Sequence, residues 1–433
     1  MALAERVFAP LHRMRSQIAS RTALFSQSRV LRSASAPTSD QASDAEPCAP
    51  NDVLIIDCPD PTAEEFARDR HQNAGLALVR QEDWDALSRQ LHMHDSTLAK
   101  TDGGMPLADL MAFGARADVV AAAEHGLLSG RPAHDAPILE GIEALEAVLA
   151  DHPGDAMIAA VVALAHIDIG WAWRGTGWDI EVPMPNREAF AAHFERAGEI
   201  LAPFATRDAG SALIASAQCA CNAGTDKETF QVVADYETWI TRDPRNPKAM
   251  RSFGTHLLPR WHGSYERLDI EARRIAGLTH DVWGAGGYAW VMMDAVSADT
   301  EACAMLDLDF FLDGLRDILR HNRNQHIANL LAAYCANTMG ATPTGHDEAD
   351  YMHAQIADAA GWIICDHLTE LHPMLWAHAA RGFDSNMRIR CRDRFASAGY
   401  ADALRVLSDL FRREIAAGHR VEFTKNGPVT HAI

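Results

Sequence analysis

Short apolar stretches, separated by breaks that contain glycine or proline, run through the sequence from Pro61 onward. Apolar residues recur at helical spacing in residues 138–149, 230–240 and 404–415. The stretches are roughly 12–20 residues long, an ordinary length for a globular helix. A single helix of this kind cannot bury its apolar face, whereas antiparallel pairs stacked side by side can. The pattern therefore predicts an all-α protein of stacked antiparallel helix pairs that form an α-α superhelix.

Local signals also indicate where some of the helices begin and which of them is buried. Thr62 and Glu65 have the spacing of a capping box, which predicts a helix that begins directly after Thr62. Residues 157–169 are apolar on nearly every face, and this predicts a helix buried between its neighbours. His166 and Asp168 interrupt that apolar run, so it falls short of the roughly 20 apolar residues that span a bilayer.

One segment has the features of a repeat junction. Residues 239–250 contain Asp243-Pro-Arg-Asn-Pro247, and this segment resembles the junction between two tetratricopeptide repeats. Residues 82–87 resemble the opening of such a repeat. Residues 256–266 are similar to a Pro-Arg-Trp-Gly-Gly-Ser segment of uncharacterised bacterial helical-repeat proteins, with His262 in place of the first glycine. Over about half of its length the chain therefore resembles degenerate tetratricopeptide-like helix pairs. The resemblance implies a helical-repeat architecture and no particular activity.

The charge of the chain is negative and unevenly spread. The formal net charge of the 433 residues is −20 at pH 7. Residues 1–39 hold six arginines and one glutamate, a net +5, so the remaining residues carry −25. A body this acidic repels phosphate backbones and anionic lipid surfaces, which predicts neither a nucleic-acid partner nor membrane docking. It favours partners with a basic or neutral contact surface.

Three segments are predicted along the chain. Residues 1–50 form an N-terminal segment rich in arginine and serine, typical either of a disordered tail or of a targeting sequence. Residues 51–420 form the helical-repeat domain, and residues 421–433 form a C-terminal tail. Strands are predicted only at 53–57 and around a terminal turn within 420–429.

The cysteines and the basic residues bear on where the protein works. Eight cysteines are scattered without the spacing of a disulfide framework, which predicts a reducing compartment and a cytoplasmic protein. Only four lysines accompany the many arginines, and this bias is typical of a GC-rich bacterial genome.

Common catalytic and nucleotide-binding motifs are absent from the sequence. It contains no phosphate loop, no dinucleotide-binding glycine fingerprint after a strand, no nucleophile elbow and no His-Glu-x-x-His helix. We therefore predict no cofactor and favour a non-catalytic interaction or scaffold protein, with a protein or peptide as the main expected partner and a small ligand as the alternative. A regulatory sensor for a small metabolite is a third hypothesis that the residues do not separate from the first.

Tryptophan and arginine occur together where two helices are predicted to end. These side chains dominate binding hot spots, and helix ends in a repeat array gather along one edge. The same residues could instead fill gaps between helices and bond terminal carbonyls. The predicted ligand- or partner-binding residues are Trp171, Trp173, Arg174, Arg260, Trp261, His262 and Tyr265, and Trp178 belongs to the first segment.

A metal-dependent hydrolase or oxidase is the alternative function. Histidines and carboxylates are dense in residues 346–378, and a helical His367/Glu370 pair would present two ligands on one face. Together with His353 and His372 such a set suits Zn²⁺ or Fe²⁺. Surface and capping roles are the favoured interpretation of the same residues.

Overall fold

The protein is described by a computed structural model. The predicted N-terminal segment 1–50 and Trp178 lie outside the residues that it describes. Those residues are 53–127, 130–132, 137–175, 181–205, 210–340, 343–383, 389 and 391–432.

Helices dominate the described residues, which confirms the predicted all-α character. The helices are α1 (Ala63–Arg80), α2 (Trp84–Ser96), α3 (Leu107–Gly126), α4 (Glu140–Asp151), α5 (Ala156–Arg174), α6 (Met184–Leu201), α7 (Ala212–Cys221), α8 (Thr229–Arg242), α9 (Pro247–His256), α10 (Tyr265–Leu278), α11 (His280–Trp283), α12 (Gly286–Ala298), α13 (Thr300–Ala304), α14 (Leu308–His321), α15 (Gln325–Ala333), α16 (Asp347–His367), α17 (Pro373–Ala379), α18 (Arg392–Leu410) and α19 (Arg412–Ala416). Short 3-10 helices lie at Ala202–Phe204 and Asn222–Gly224, and a π-helix lies at Tyr334–Met339. The strands are β1 (Leu54–Ile55), β2 (His419–Thr424) and β3 (Gly427–Ala432).

Side-chain caps fix several helix beginnings where the sequence predicts them. The Glu65 amide donates to Thr62 Oγ1 (3.2 Å), and the Thr62 amide donates to Glu65 Oε2 (2.8 Å). This is the predicted capping box, and it opens α1. A helix break also lies at residues 243–246, between α8 and α9. Asn246 caps α9, and Pro247 occupies its first position, where the missing amide proton costs nothing.

The long helices pack mainly on helices that follow or precede them closely in sequence. Helix α1 packs on α3, α3 on α5, α5 on α6 and α7, and α9 on α12. The α1–α3 crossing depends on two glycines. A Cβ on Gly75 would lie 2.1 Å from the Met111 carbonyl oxygen, and one on Gly114 would lie 1.8 Å from that of Gln72. Both backbones therefore approach to a distance that only glycine permits.

Two groups of buried apolar side chains form the core. One joins α2 through α7, and the other joins α8 through α18 with the small sheet. Helix α5 is buried on nearly every face, as its sequence predicts. By length and composition alone α5 could cross a membrane, but 72% of its most apolar window is buried inside the fold. Its two polar interruptions are paired. Asp168 bonds Arg116 (2.6 Å), and His166 bonds Glu146 (2.9 Å).

The beginning and the end of the described chain meet in a three-stranded sheet of order β1-β2-β3. Strand β1 is parallel to β2, with Leu54 opposite Val421, and β2 and β3 form an antiparallel hairpin. The predicted strand at 53–57 is confirmed. It consists of β1 (Leu54–Ile55) and an isolated bridge from Asp57 to Glu370. The predicted boundary between residues 420 and 421 falls inside β2.

Candidate functional site

The two predicted Trp/Arg segments, separated by about 90 residues, lie in contact. The rings of Trp171, in the last turn of α5, and Trp261, after α9, are 6.3 Å apart and nearly perpendicular. Trp171 also contacts Phe190 and Phe194 of α6, at 5.2 and 6.0 Å. The guanidinium of Arg174 lies over the Trp171 ring, 5.6 Å from its centroid. We call Trp171, Phe190, Phe194, Trp261 and the neighbouring His256 the aromatic cluster.

A tight turn after α9 directs Trp261 into this cluster. The Trp261 amide donates to the Leu258 carbonyl (2.9 Å), and the His262 amide donates to that of His256 (3.1 Å). A Cβ on Gly263 would lie 2.2 Å from the Leu257 carbonyl oxygen, so the turn requires glycine at this position. Ser264 then caps α10 by accepting from the Arg267 amide (3.2 Å), as its position before the helix predicts.

The side chain of His262 ties this turn to the segment that precedes α8. Its Nε2 lies 2.7 Å from the Asn222 carbonyl oxygen, and its Nδ1 lies 3.2 Å from that of Lys227. Because a carbonyl only accepts, each contact is a hydrogen bond only when the ring nitrogen that makes it carries a proton. The hydroxyl of Thr229 donates to the His262 carbonyl oxygen. An uncharged imidazole carries a proton on only one ring nitrogen, so His262 ties the two segments through one hydrogen bond and one close contact.

His256 connects the other members of the aromatic cluster to α8. Burial lowers the pKa of His256 to about 4, so its ring is neutral at pH 7. Its Nδ1 lies 2.9 Å from the Ser252 carbonyl oxygen and therefore carries the proton, and the Tyr236 hydroxyl lies 3.0 Å away. The Nε2 of His256 and the Nε1 of Trp261 are buried without a hydrogen-bond partner in the described part of the chain. One is an acceptor and the other a donor, in rings 5.9 Å apart.

Tyr265, four residues after Trp261, faces a separate surface cleft. This Tyr265 cleft lies between α10, α12 and α13 and has a volume of about 260 Å³. Its apolar part includes Ile270 and Met305, whose side chains are 49% and 55% exposed. The residues that line it are Tyr265, Glu266, Leu268, Asp269, Ile270, Met292, Ala302 and Met305.

Carboxylates surround the cleft. Glu266 is exposed and forms no ion pair with any residue that the structure describes. Asp299 and Glu301 lie beside Tyr265, and the Tyr265 hydroxyl donates to Asp299 Oδ2 (3.4 Å). Burial and the charges of these two acids raise the pKa of Tyr265, so its hydroxyl stays protonated at neutral pH. Asp269 is neutralised by Arg273, 2.8 Å away. The rim of the cleft is therefore acidic.

The remaining predicted residues of this surface have different positions. Trp173 is buried in the core, so its ring is not available to a partner. The side-chain amide of Asn186 donates to the Trp173 backbone carbonyl oxygen (2.6 Å). Arg260 is exposed at the turn. The structure thus brings Trp171, Arg174 and Trp261 together, but places Tyr265 in the neighbouring cleft.

The four alternative metal ligands are not brought to one point. Helix α16 ends at His367, so the expectation that His367 and Glu370 share a helical face is wrong. His353 precedes His367 by fourteen residues on α16, which corresponds to about 21 Å of helix. Only Glu370 and His372 touch, through Oε1 and Nε2 at 2.9 Å. Within the described ranges, no group of three or more His, Cys, Asp or Glu side chains could hold a metal ion.

A buried polar network lies in the first core and was not predicted. Arg196 donates to both oxygens of Glu146 through Nε and Nη2, each at 2.7 Å. His166 Nε2 lies 2.9 Å from the same carboxylate, and His166 Nδ1 lies 2.9 Å from His193 Nδ1. Burial lowers the pKa of both histidines, so both are neutral at pH 7. The ionised Glu146 accepts from His166 Nε2, and His193 Nδ1 must then donate to His166 Nδ1. The only sequence signal is His166 within an apolar helix.

Comparison with protein-family models, with curated proteins and with solved structures finds no match to this chain. Its function is therefore argued from the geometry and charge of its own residues.

Proposed function

We propose that the protein is a non-catalytic interaction protein, a tetratricopeptide-like superhelix that binds a peptide or protein segment at the Tyr265 cleft. Ile270 and Met305 expose about half of their side chains within one acidic cleft, and this observation carries the proposal. Large apolar side chains gathered at an exposed concave surface are typical of an interaction site. The packing of each long helix on its near neighbours in sequence supports the repeat architecture.

The size of the cleft favours side chains of a partner over a whole small molecule. Pockets that enclose drug-sized ligands have volumes of roughly 300–1,000 Å³. The Tyr265 cleft has about 260 Å³ and is open to solvent. It therefore suits one or two apolar side chains projecting from a larger partner, as when an amphipathic helix inserts anchors at helical spacing into a groove.

The charge around the cleft indicates a basic partner. Glu266, Asp299 and Glu301 contribute negative charge at its rim, in a body that carries −25 outside residues 1–39. Lysine or arginine side chains flanking the apolar anchors would meet these acids, speed association and discriminate against acidic segments. Because these charges are at the surface, we expect binding to weaken as salt is added.

Two of the carboxylates at the cleft, Asp269 and Asp299, are engaged in structure, which supports a binding role without catalysis. Asp269 accepts from the Tyr288 hydroxyl (3.0 Å) and pairs with Arg273. Asp299 Oδ1 accepts from the backbone amides of Glu301 and Ala302, at 3.1 and 3.0 Å, and so caps α13.

The aromatic cluster extends the proposed contact surface. The turn at residues 259–265 carries exposed Arg260 and half-exposed Trp261 before it reaches Tyr265. Trp171 and Arg174 are also half-exposed beside Trp261. Tryptophan and arginine are enriched among the residues that dominate binding energy at interfaces. The seven cysteines in the described ranges are free thiols, which supports a reducing, cytoplasmic setting.

A pair of labelled peptides tests the proposal. One carries leucine at i, i+3, i+4 and i+7 with lysine between, and the other carries glutamate in place of each lysine. We expect the basic peptide to bind, measured by fluorescence anisotropy, and the acidic one not to bind. Met305→Asp should weaken binding at least tenfold, because burying a methionine side chain contributes about 1.5–3 kcal/mol.

Met93→Asp is the matched control, since Met93 is 50% exposed on α2, away from the cleft. It should leave the affinity unchanged. Equal binding of the two peptides, or an equal loss in Met93→Asp and Met305→Asp, would exclude the Tyr265 cleft as the binding surface.

A further inference from the structure

Five basic side chains from distant parts of the chain come together where α9, α15 and α17 meet. We call this set the arginine–histidine cluster; none of its members lines the Tyr265 cleft. Its members are Arg68 of α1, Arg251 of α9, His326 of α15, His372 directly before α17, and His378 of α17. The rings of His326 and His372 are 6.0 Å apart. The Arg251 guanidinium of α9 lies 5.8 Å from the ring of Phe383, shortly after α17, and the Phe383 amide donates to the His378 carbonyl oxygen (2.9 Å).

Asn329 is fully buried, one turn after His326, and it fixes the position of His372 at the beginning of α17. Its Oδ1 accepts from the His372 amide and from Trp376 Nε1, both at 2.9 Å. Its Nδ2 donates to the carbonyl oxygens of Glu370 and Gln325, also at 2.9 Å. All the hydrogen-bonding capacity of this amide is therefore used, and three of its four bonds hold α15 against the segment from Glu370 to Trp376.

Contacts around α1 place Arg68 against the same surface. The Leu371 amide donates to the carbonyl oxygen of Asp57 (2.8 Å), which lies six residues before α1. Arg392 of α18 pairs with Glu65 (3.1 Å), in the first turn of α1. Arg68 follows Glu65 by three residues and therefore lies on the same face of α1.

A carboxylate orients the Arg251 guanidinium, and another lies beside that of Arg68. Asp294 accepts from Arg251 Nε (3.0 Å) and Nη2 (2.7 Å). Glu64 Oε1 lies 3.4 Å from Arg68 Nε, but that nitrogen is buried without a hydrogen-bond partner in the described structure, and Glu64 Oε1 accepts from Thr101 Oγ1 (2.7 Å). Nη1 of Arg251 and all three guanidinium nitrogens of Arg68 form no hydrogen bond with the residues described. A guanidinium held on one edge, as in Arg251, is a preorganised donor on the other.

The charges that act on His326 are all positive. Burial, together with the charges of Arg68, His372 and Arg251, lowers the pKa of His326 to about 3. Burial and Arg68 likewise lower the pKa of His378. The His326 ring also has no hydrogen-bond partner among the described side chains and backbone groups. The nearby carboxylates therefore do not cancel the positive potential of the arginines at this ring.

We propose that the arginine–histidine cluster binds a small oxyanion, the carboxylate or phosphate group of a metabolite, held between Arg68 and Arg251 with His326 donating a further hydrogen bond. Guanidinium groups match the oxygen spacing of carboxylates and phosphates and bind them through paired N–H groups. Low solvent exposure strengthens these contacts relative to water. In an otherwise acidic protein, this cluster provides a specific place for a negative charge.

Titration with inorganic phosphate and with citrate, each against chloride at matched ionic strength, tests the proposal on the full chain. Isothermal calorimetry should show saturable binding of one of the two oxyanions, and the better ligand identifies the chemical class. Arg68→Gln should weaken that binding at least tenfold. Arg80→Gln, on the same helix but paired with Asp118 outside the cluster, should leave it unchanged.

A second measurement locates the bound anion on the unsubstituted chain. Bound oxyanion should raise the pKa of His326, followed by NMR of the histidine ring protons and assigned by comparison with His326→Gln. Absence of saturable binding by both oxyanions overturns the proposal. So does binding that leaves the His326 titration unchanged, or binding that Arg80→Gln weakens as much as Arg68→Gln.

Discussion

Glu146→Gln tests whether the buried network of the first core stabilises the fold through the charge of its carboxylate. Burial by itself would raise the pKa of Glu146. The hydrogen bonds from Arg196 and His166 and the charge of Arg196 overcome that effect and lower the pKa from 4.5 to about 2. The Glu146 side chain is only 15% exposed, so solvent screens these contacts weakly.

The size of the effect follows from this difference in pKa. Each pKa unit corresponds to 1.36 kcal/mol, so the ionised carboxylate contributes about 3 kcal/mol to the free energy of unfolding at pH 7. Because the folded-state pKa is lowered, this stabilisation is complete above about pH 4.5 and is lost as the pH falls towards 2. At pH 3 about 1.4 kcal/mol remains. A glutamine at position 146 cannot ionise and should lack this contribution throughout.

Urea unfolding followed by circular dichroism at pH 7 and at pH 3 measures the predicted cost. We expect Glu146→Gln to lose about 3 kcal/mol at pH 7 and less than half of that at pH 3. Glu199→Gln is the matched control, because Glu199 pairs with Arg196 Nη1 (2.9 Å) but is 50% exposed. Its loss should stay below about 1 kcal/mol. A Glu146→Gln penalty equal to that of the control, or one independent of pH, would refute the reasoning.

The turn after α9 provides further tests by thermal unfolding. Gly263→Ala should cost about 1–3 kcal/mol, because its Cβ would lie 2.2 Å from the Leu257 carbonyl oxygen; an unchanged midpoint would contradict the close approach. His262→Ala, which removes contacts to two carbonyl oxygens, should cost about 1–3 kcal/mol, whereas Arg260→Ala at the exposed position should change stability by less than about 0.5 kcal/mol. Asn222→Leu should be neutral or stabilising, since both polar side-chain atoms of Asn222 are buried without partners in the described structure. A clear loss there would show that the amide is hydrogen-bonded.

Features set by neighbouring residues could be predicted from the sequence. The capping box at Thr62 and the cap at Ser264 need only a few consecutive residues. The break from Asp243 to Pro247 is also local, since proline and asparagine end one helix and begin the next. The burial of α5 followed from its composition, because a helix that is apolar on every face has no surface for solvent.

The end of α16 could not be predicted because it depends on a distant side chain. The stretch from His367 to Glu370 contains no glycine or proline, so helical spacing was extended through it. In the structure Gln325 Nε2 donates to the His367 carbonyl oxygen (2.8 Å), and its Oε1 accepts from the Thr369 amide (2.9 Å). These bonds replace those of a continuing helix and turn the chain towards β1. The predicted His367/Glu370 pair fails for this reason.

The candidate sites show the same division between local and distant causes. The sequence indicated Trp171 and Trp261 as separate segments, but their contact depends on how α5, α6 and the turn after α9 pack together. Tyr265 was grouped with the tryptophans because it is close in sequence, yet α10 directs it into another cleft. Of the arginine–histidine cluster, only His372 and His378 fell in a segment that the sequence indicated, whereas Arg68 and His326 are brought together only by the complete fold.

The pairing of β1 with β2 has a consequence for synthesis on the ribosome. Leu54 lies opposite Val421, and about 370 residues separate them in the chain. At roughly 5–20 residues per second, translation takes about 20–70 s to produce the second strand after the first. The helices between them can pack on near neighbours as they emerge, but β1 has no strand to pair with until β2 has been made. The pairing of β1 with β2 is therefore among the last steps of folding during synthesis. Until then, the residues around Leu54 lack their partner strand and are accessible to chaperones.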